Sequence, residues 1–251
     1  MILFPRLVLA RTQREAFRLR GEYGSLEAVA DRKPQDTAVV VTNILSVLPF
    51  DRHDHVLDIG CGNGEFLHRV TPLVGWSVGV DLSPVGLSLL KGSLTACTPF
   101  LCGAISEALP FQDAVFSKVV INSVLYALGS YEEAERTIAE VRRVLTPAGL
   151  AYFGEVPTLD ERRSARPHSG LFGTAFAKLK RHGLRTVLRL LRERRHQHVQ
   201  VIAPETFLYW SREAFVAVLE KHGFHVSQVL AHSTLSGPTS RLNYVAISNP
   251  S

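Results

Sequence analysis

The stretch His55-Val56-Leu57-Asp58-Ile59-Gly60-Cys61-Gly62-Asn63-Gly64-Glu65-Phe66 constrains this chain more than any other. A short apolar run ends on an acid, glycine then falls at three alternate positions, and a helical pattern follows. That order predicts a buried strand at 55–59, a tight loop, and a helix from about Gly64 to Val70. Glycine lacks Cβ and adopts positive φ readily, so backbone in such a loop can approach a ligand closely. In an open α/β sheet the ligand lies outside the carboxyl ends of the strands. The loop therefore marks where a binding site is expected.

The pattern downstream repeats this unit. Strands are predicted at 76–81, 98–102, 115–122 and 150–155, separated by helices at about 83–95 and 130–145. Ser83-Pro84 starts the first of these helices as cap and first-turn proline. Ser130 caps the second, with Glu133 at the capping-box position. Alternation of this kind predicts an α/β fold: a doubly wound, Rossmann-like, seven-stranded sheet with helices on both faces. The last two strands, 225–230 and 241–247, follow each other without a helix. They should pair antiparallel, leaving the sheet mostly parallel with an antiparallel last strand. Residues 1–50 read as a helical cap region, with a helix from Thr37 to Leu48 that Pro49 stops. The expected organisation is therefore 1–50 as cap, 51–156 as ligand-binding core, 157–205 as a basic helical insert, and 206–251 as the helix and strand pair that complete the core.

The net charge of +5 is unevenly spread: residues 162–198 hold eleven Lys or Arg and one acid, Glu193, so the remainder is −5. Within that segment Leu184, Val187, Leu188 and Leu191 form an apolar stripe, and Arg185, Arg189, Arg192 and Arg195 lie largely off it. This predicts an amphipathic basic helix, suited to a solvated lid, an anionic small-molecule acceptor or a peripheral anionic membrane surface. Aromatic residues are sparse there, which disfavours nucleic acid bound by base stacking. Cys61, Cys97 and Cys102 form no CxxC pair, and no secretory leader precedes them, so a reducing, cytoplasmic setting is expected. His196-x-His198 has no acid or thiol beside it, and no metal is expected.

Several motifs in register resemble the class I S-adenosylmethionine (SAM)-dependent methyltransferases, most closely the small-molecule group that includes the quinone-biosynthesis enzymes. They are Val56 to Phe66; Gly79-Val80-Asp81-Leu82-Ser83; Ser106-Glu107-Ala108-Leu109-Pro110-Phe111; Phe116 to Val120; and Arg142 to Gly149. Tyr209-Trp210-Ser211 and Gly223-Phe224 resemble the family's late helix.

The resemblance implies SAM as cofactor and a role for each matching residue. Asp58 orients the loop beside the methionine amino group, and Gly60, Cys61 and Gly62 bring backbone to the ligand, Cys61 as a small filler. Asp81 accepts from the ribose hydroxyls. Leu82 packs on the adenine, Ser106 donates to it from its backbone, and Asn122 offers a carbonyl to the amino group. The family's acid before Ser106, which reads the adenine amine, is Ile105 in this chain, so that hydrogen bond is lost unless Glu107 substitutes. A further departure is Ala148, where the family has glycine. Candidates to touch the acceptor are Tyr126 and Glu155, at the ends of the strands 115–122 and 150–155. Tyr209 and His232 are later candidates, with His232 expected in a surface loop. The glycine loop alone would also suit an NAD-dependent oxidoreductase, but its Gly-x-Gly-x-Gly spacing departs from the dinucleotide fingerprint. A binding protein that kept the fold without catalysis is the third reading.

Overall fold

The computed structural model describes residues 6–23, 34–93, 100–164, 199–202, 207–234 and 237–250. The predicted amphipathic helix at 184–195, the His196-x-His198 pair and Cys97 lie outside them.

Seven strands form one sheet: β2 (His55–Ile59), β3 (Trp76–Asp81), β4 (Phe100–Gly103), β5 (Phe116–Asn122), β6 (Leu145–Pro157), β8 (Phe224–Thr234) and β9 (Gly237–Ser248). Their order is β4-β3-β2-β5-β6-β9-β8. The five strands from β4 to β6 run parallel, and β9 enters antiparallel to both β6 and β8. This is the expected Rossmann-like architecture. The order reverses at β2, because β3 and β4 lie to one side and β5 and β6 to the other. A crevice forms at such a switch point.

Strand parity divides the core in two. Leu57 and Ile59 of β2, Val119 and Ile121 of β5, Ala151 and Phe153 of β6, and Tyr244 and Ala246 of β9 face one layer. There they pack against Ala134, Ile138 and Val141 of α5 (Tyr131–Val144) and Phe215 and Leu219 of α7 (Arg212–Lys221). Val56, Val120, Tyr152 and Val245 face the other layer. This second layer holds α2 (Pro34–Val47), α3 (Glu65–Val70) and α4 (Pro84–Ser93). Both faces are covered, so the strands read as continuous apolar runs rather than alternating ones. Burying a side chain the size of Ile138 or Phe215, each fully buried, contributes about 2 kcal/mol.

Helix α5 starts where Ser130 accepts from the Glu133 N–H at 3.3 Å. The carboxylate of Glu133 turns back one residue further than a capping box requires and accepts from the Gly129 N–H at 2.8 Å.

Three expectations need correction. The first 50 residues are not wholly helical: β1 (Arg6–Leu9) is a strand, followed by α1 (Gln13–Tyr23). Its partner is β7 (Val199–Ile202), and the two form a separate parallel pair. A parallel partner some 190 residues away leaves no local signal, so β1 could not be read from its own sequence. The stretch 157–205, expected to be a basic, partly helical insert, contains α6 (Leu159–Ser164) but also strand β7, which was not expected. Finally, β6 begins at Leu145 rather than at Leu150, with a register shift opposite Phe116 to Lys118. Ala148 sits in that irregularity at φ +60°, the conformation for which the family's glycine is suited.

Candidate functional site

At the carboxyl edge of β2 the chain turns through Gly60, Gly62 and Gly64, all at positive φ. A Cβ on Gly60 would meet Val124 Cγ2 at 2.3 Å, so both conformation and space exclude any larger residue. The turn is held by the N–H groups of Gly60 and Cys61, which both donate to the Val80 carbonyl.

Two acids flank the turn on the same face of the sheet. Asp58 and Asp81 have the parity of Val56 and Gly79, facing α2, α3 and α4. Asp81 Oδ2 accepts from the Gly62 N–H at 3.0 Å, and its Oδ1 accepts from the Ser83 N–H at 2.9 Å. Each carboxylate oxygen retains a second acceptor site, so Asp81 can take two further donors. Ser83 also caps α4, its hydroxyl accepting from the Gly86 N–H.

The electrostatics follow from burial. Asp58 is 5% exposed, and this desolvation, reinforced by the nearby Asp81 charge, pushes its carboxyl from 3.8 up to about 8. Asp81 is also raised by burial, against the pull of its backbone donors. Burial and both acids push the Cys61 thiol up, which makes Cys61 a packing group rather than a nucleophile. A cavity with two desolvated acids on one wall favours a ligand that brings positive charge and hydroxyl donors.

The cavity is lined by every residue expected to hold the cofactor, Asp58, Gly60, Cys61, Gly62, Asp81, Leu82, Ser106, Glu107 and Asn122, and by Tyr126. The other acceptor candidates, Glu155, Tyr209 and His232, are not among its lining residues. Glu155 is 3% exposed at φ +57°, and its carboxylate accepts from Asn122 Nδ2 at 3.2 Å and pairs with the Arg241 guanidinium at 3.3 Å. Glu155 thus stands behind the cavity wall, and any effect it has on an acceptor passes through Asn122 or through Arg241 to Tyr126. Arg241 in turn pairs with Glu161 and lies 4.9 Å from the centre of the Tyr126 ring. His232 is not in a surface loop. It is 2% exposed on β8, with Nε2 3.8 Å from Glu155 Oε1. The expectation failed because β8 runs four residues beyond its predicted end and carries His232 inward. Tyr209 lies on the approach to α7, where its carbonyl accepts from the Tyr131 hydroxyl at 2.8 Å.

Sequence reasoning missed Arg14 and Phe17 of α1, which also line the cavity. No motif marks them, because they reach the site through the fold of the N-terminal segment.

The donor set suits SAM by observations independent of the motifs. Asp58 and Asp81 can face its positive charge and ribose hydroxyls, and the Gly60–Gly62 backbone leaves no side chain in the way. Asn122 Oδ1 is buried without a hydrogen-bond partner among the described residues, an acceptor that a bound N–H could satisfy.

Comparison with known proteins agrees with this reading. Residues 57–153 match the model of a methyltransferase domain. The malonyl-[acyl-carrier protein] O-methyltransferase of Marinomonas sp. (strain MWYL1) is 30% identical over 123 residues, 46% of this chain and 43% of that protein. The ubiquinone/menaquinone biosynthesis C-methyltransferase UbiE of Bordetella avium is 32% identical over 119 residues, 45% of this chain and 43% of that protein. The chain thus spans less than half the length of either relative. Among solved structures, the N-methyltransferase NodS of Bradyrhizobium japonicum WM9, in complex with S-adenosyl-L-homocysteine, superposes with a TM-score of 0.61. It is 13% identical, and the match covers 93% of this chain and 98% of that one, a likeness of fold.

Proposed function

We propose that this chain, whose residues 57–153 match a methyltransferase domain, is a class I SAM-dependent methyltransferase that transfers a methyl group to oxygen, nitrogen or carbon of a small metabolite, glycan or lipid-linked precursor. The observation that carries this reading is the pair of desolvated acids, buried Asp58 and partly buried Asp81, on one wall of a cavity that Tyr126 lines further along. When bound, the cofactor supplies a methyl group already made electrophilic by its sulfonium.

The protein's own work is then to bind, orient and exclude water. Asp81 accepts from the ribose hydroxyls through the acceptor sites its backbone donors leave open. Asp58 faces the amino group, and Asn122 offers its carbonyl oxygen. Leu82 and the Ser106–Glu107 turn border the base. Tyr126 lies where an acceptor must approach, just beyond the end of β5, and its hydroxyl can orient the acceptor or relay its proton, passing its own proton to solvent as it takes the acceptor's. Alignment of this kind needs the reacting atoms within about 3.5 Å of each other. Glu155 holds Asn122 from behind and is a positioning residue.

The basic segment 162–198 supports an anionic acceptor, with contact to an anionic membrane surface as a further use of the same charge. A nucleic-acid acceptor is disfavoured by the scarcity of aromatic residues in that segment.

Thermal-shift assays test the assignment. SAM and S-adenosylhomocysteine should raise the melting temperature and NAD should not, and Asp81→Ala should abolish the rise. Stabilisation by NAD alone would sink the reading. Mass spectrometry of ligand retained on purification would identify the acceptor class.

A further inference from the structure

Helix α1 closes the side of the cavity towards β4, and one guanidinium ties it there. A terminal nitrogen of Arg14 donates to Glu107 Oε1 at 2.5 Å and to Glu133 Oε2 at 3.0 Å. Glu107 sits in the turn after β4, and Glu133 in the first turn of α5. The contact therefore joins three elements that are far apart in sequence. The side chain of Glu107 is only 8% exposed, and its second oxygen accepts from the Ser106 hydroxyl at 3.1 Å. The Ser106 hydroxyl also lies 3.0 Å from the buried Thr137 hydroxyl. Burial would raise the Glu107 carboxyl, yet its contacts with Arg14 and Ser106 hold it below its ordinary value.

Packing alone does not require this arrangement. Helix α1 already buries Ala16 and Leu19, while Arg14 and Phe17 point to the cavity wall. A cation is thus spent on fixing one turn at the cavity mouth.

We propose that Arg14 is a positioning residue of the donor site: by holding Glu107 it fixes the Ser106–Glu107 turn against the nucleoside half of the donor, so donor affinity depends on α1. The proposal rests on the methyl-donor reading above. Without Arg14, the nearly buried Glu107 carboxylate loses its strongest partner. It must then take up a proton or swing towards water, and Ser106 moves with it. The effect falls on the base and ribose, not on the amino-acid end, which faces Asp58 and Asn122 on the inner strands.

Titration calorimetry of the full chain with S-adenosylhomocysteine and with 5′-methylthioadenosine, which lacks the amino-acid portion, tests this. Arg14→Ala should weaken both ligands by the same factor, about ten-fold, the scale of one charge-assisted hydrogen bond. Arg14→Lys should recover part of the loss. Glu133→Gln, which leaves α1 and Glu107 intact, should weaken both ligands by a smaller factor, so the proposal does not depend on the alanine variant folding well. Unchanged affinities in Arg14→Ala, or a loss confined to S-adenosylhomocysteine, would overturn the proposal while leaving the methyl-donor reading in place. A wild-type chain that bound neither ligand would remove that reading and the proposal with it.

Discussion

Binding of S-adenosylhomocysteine should expel a proton at neutral pH. Asp58 carries its proton up to about pH 8 in the ligand-free protein, because its carboxyl is desolvated and faces Asp81. One pH unit below that value, about nine in ten Asp58 carboxyls are protonated. A ligand ammonium beside Asp58 favours the carboxylate, so binding releases close to one proton at pH 7. Release falls to about half a proton at pH 8 and about a tenth at pH 9. Affinity should rise by up to about ten-fold per pH unit below 8 and level off above it. Calorimetry in buffers of different ionisation enthalpy reads the proton count directly, and Asp58→Asn should remove most of it. Pure pH-independent binding between pH 6 and 8, with no proton released by the wild type, would refute the argument. The same shift has a consequence for the free protein. The folded state holds this proton between pH 4 and 8 when the unfolded chain does not, so stability falls as pH rises through that window. The groups with lowered pKa, including Asp54, Glu107 and Glu140, act in the opposite sense and at lower pH.

Three further outcomes follow from the geometry. Lys118 is buried at the far end of the sheet against Asp54, so Asp54→Ala should cost about 3 kcal/mol by leaving an unpaired buried ammonium; adding Lys118→Met should restore most of it in chemical denaturation. Ala148→Gly should relieve the left-handed conformation at φ +60° and, after the entropy glycine adds to the unfolded chain, raise stability by about 0.5 kcal/mol; a lower melting temperature would contradict this. Tyr126→Phe keeps the ring against Arg241 and Phe207, so S-adenosylhomocysteine affinity should hold while turnover falls about a hundred-fold if the hydroxyl moves a proton; unchanged turnover would make the residue a packing group.

Much of the fold could be read in advance because the information is local. An apolar run of strand length followed by Gly60-x-Gly62-x-Gly64, and Ser130 with Glu133 at a helix start, each state their conformation within a few residues. Two such strands without an intervening helix, β8 and β9, must pair antiparallel. The cavity residues were legible because short motifs resembling the methyltransferases name them, and strand ends agree with that placement. Asp58, Asp81, Asn122 and Tyr126 all sit at or just beyond the carboxyl ends of predicted strands, which is where a parallel sheet collects its ligand.

What the sequence could not show depends on partners far along the chain. Strand β1 exists only because β7 lies beside it. Arg14 belongs to the cavity only because α1 folds back over it to meet Glu107 and Glu133. His232 and Glu155 become a buried pair because β8 and β6 extend further than their apolar patterns imply, and because β9, between them, brings Arg241 to Glu155. Periodicity and glycine spacing thus determined the layers, the loop and the donor wall. Long-range pairing and the burial of charge decided which acids hold their protons, which side chains reach the cavity, and which stand behind it.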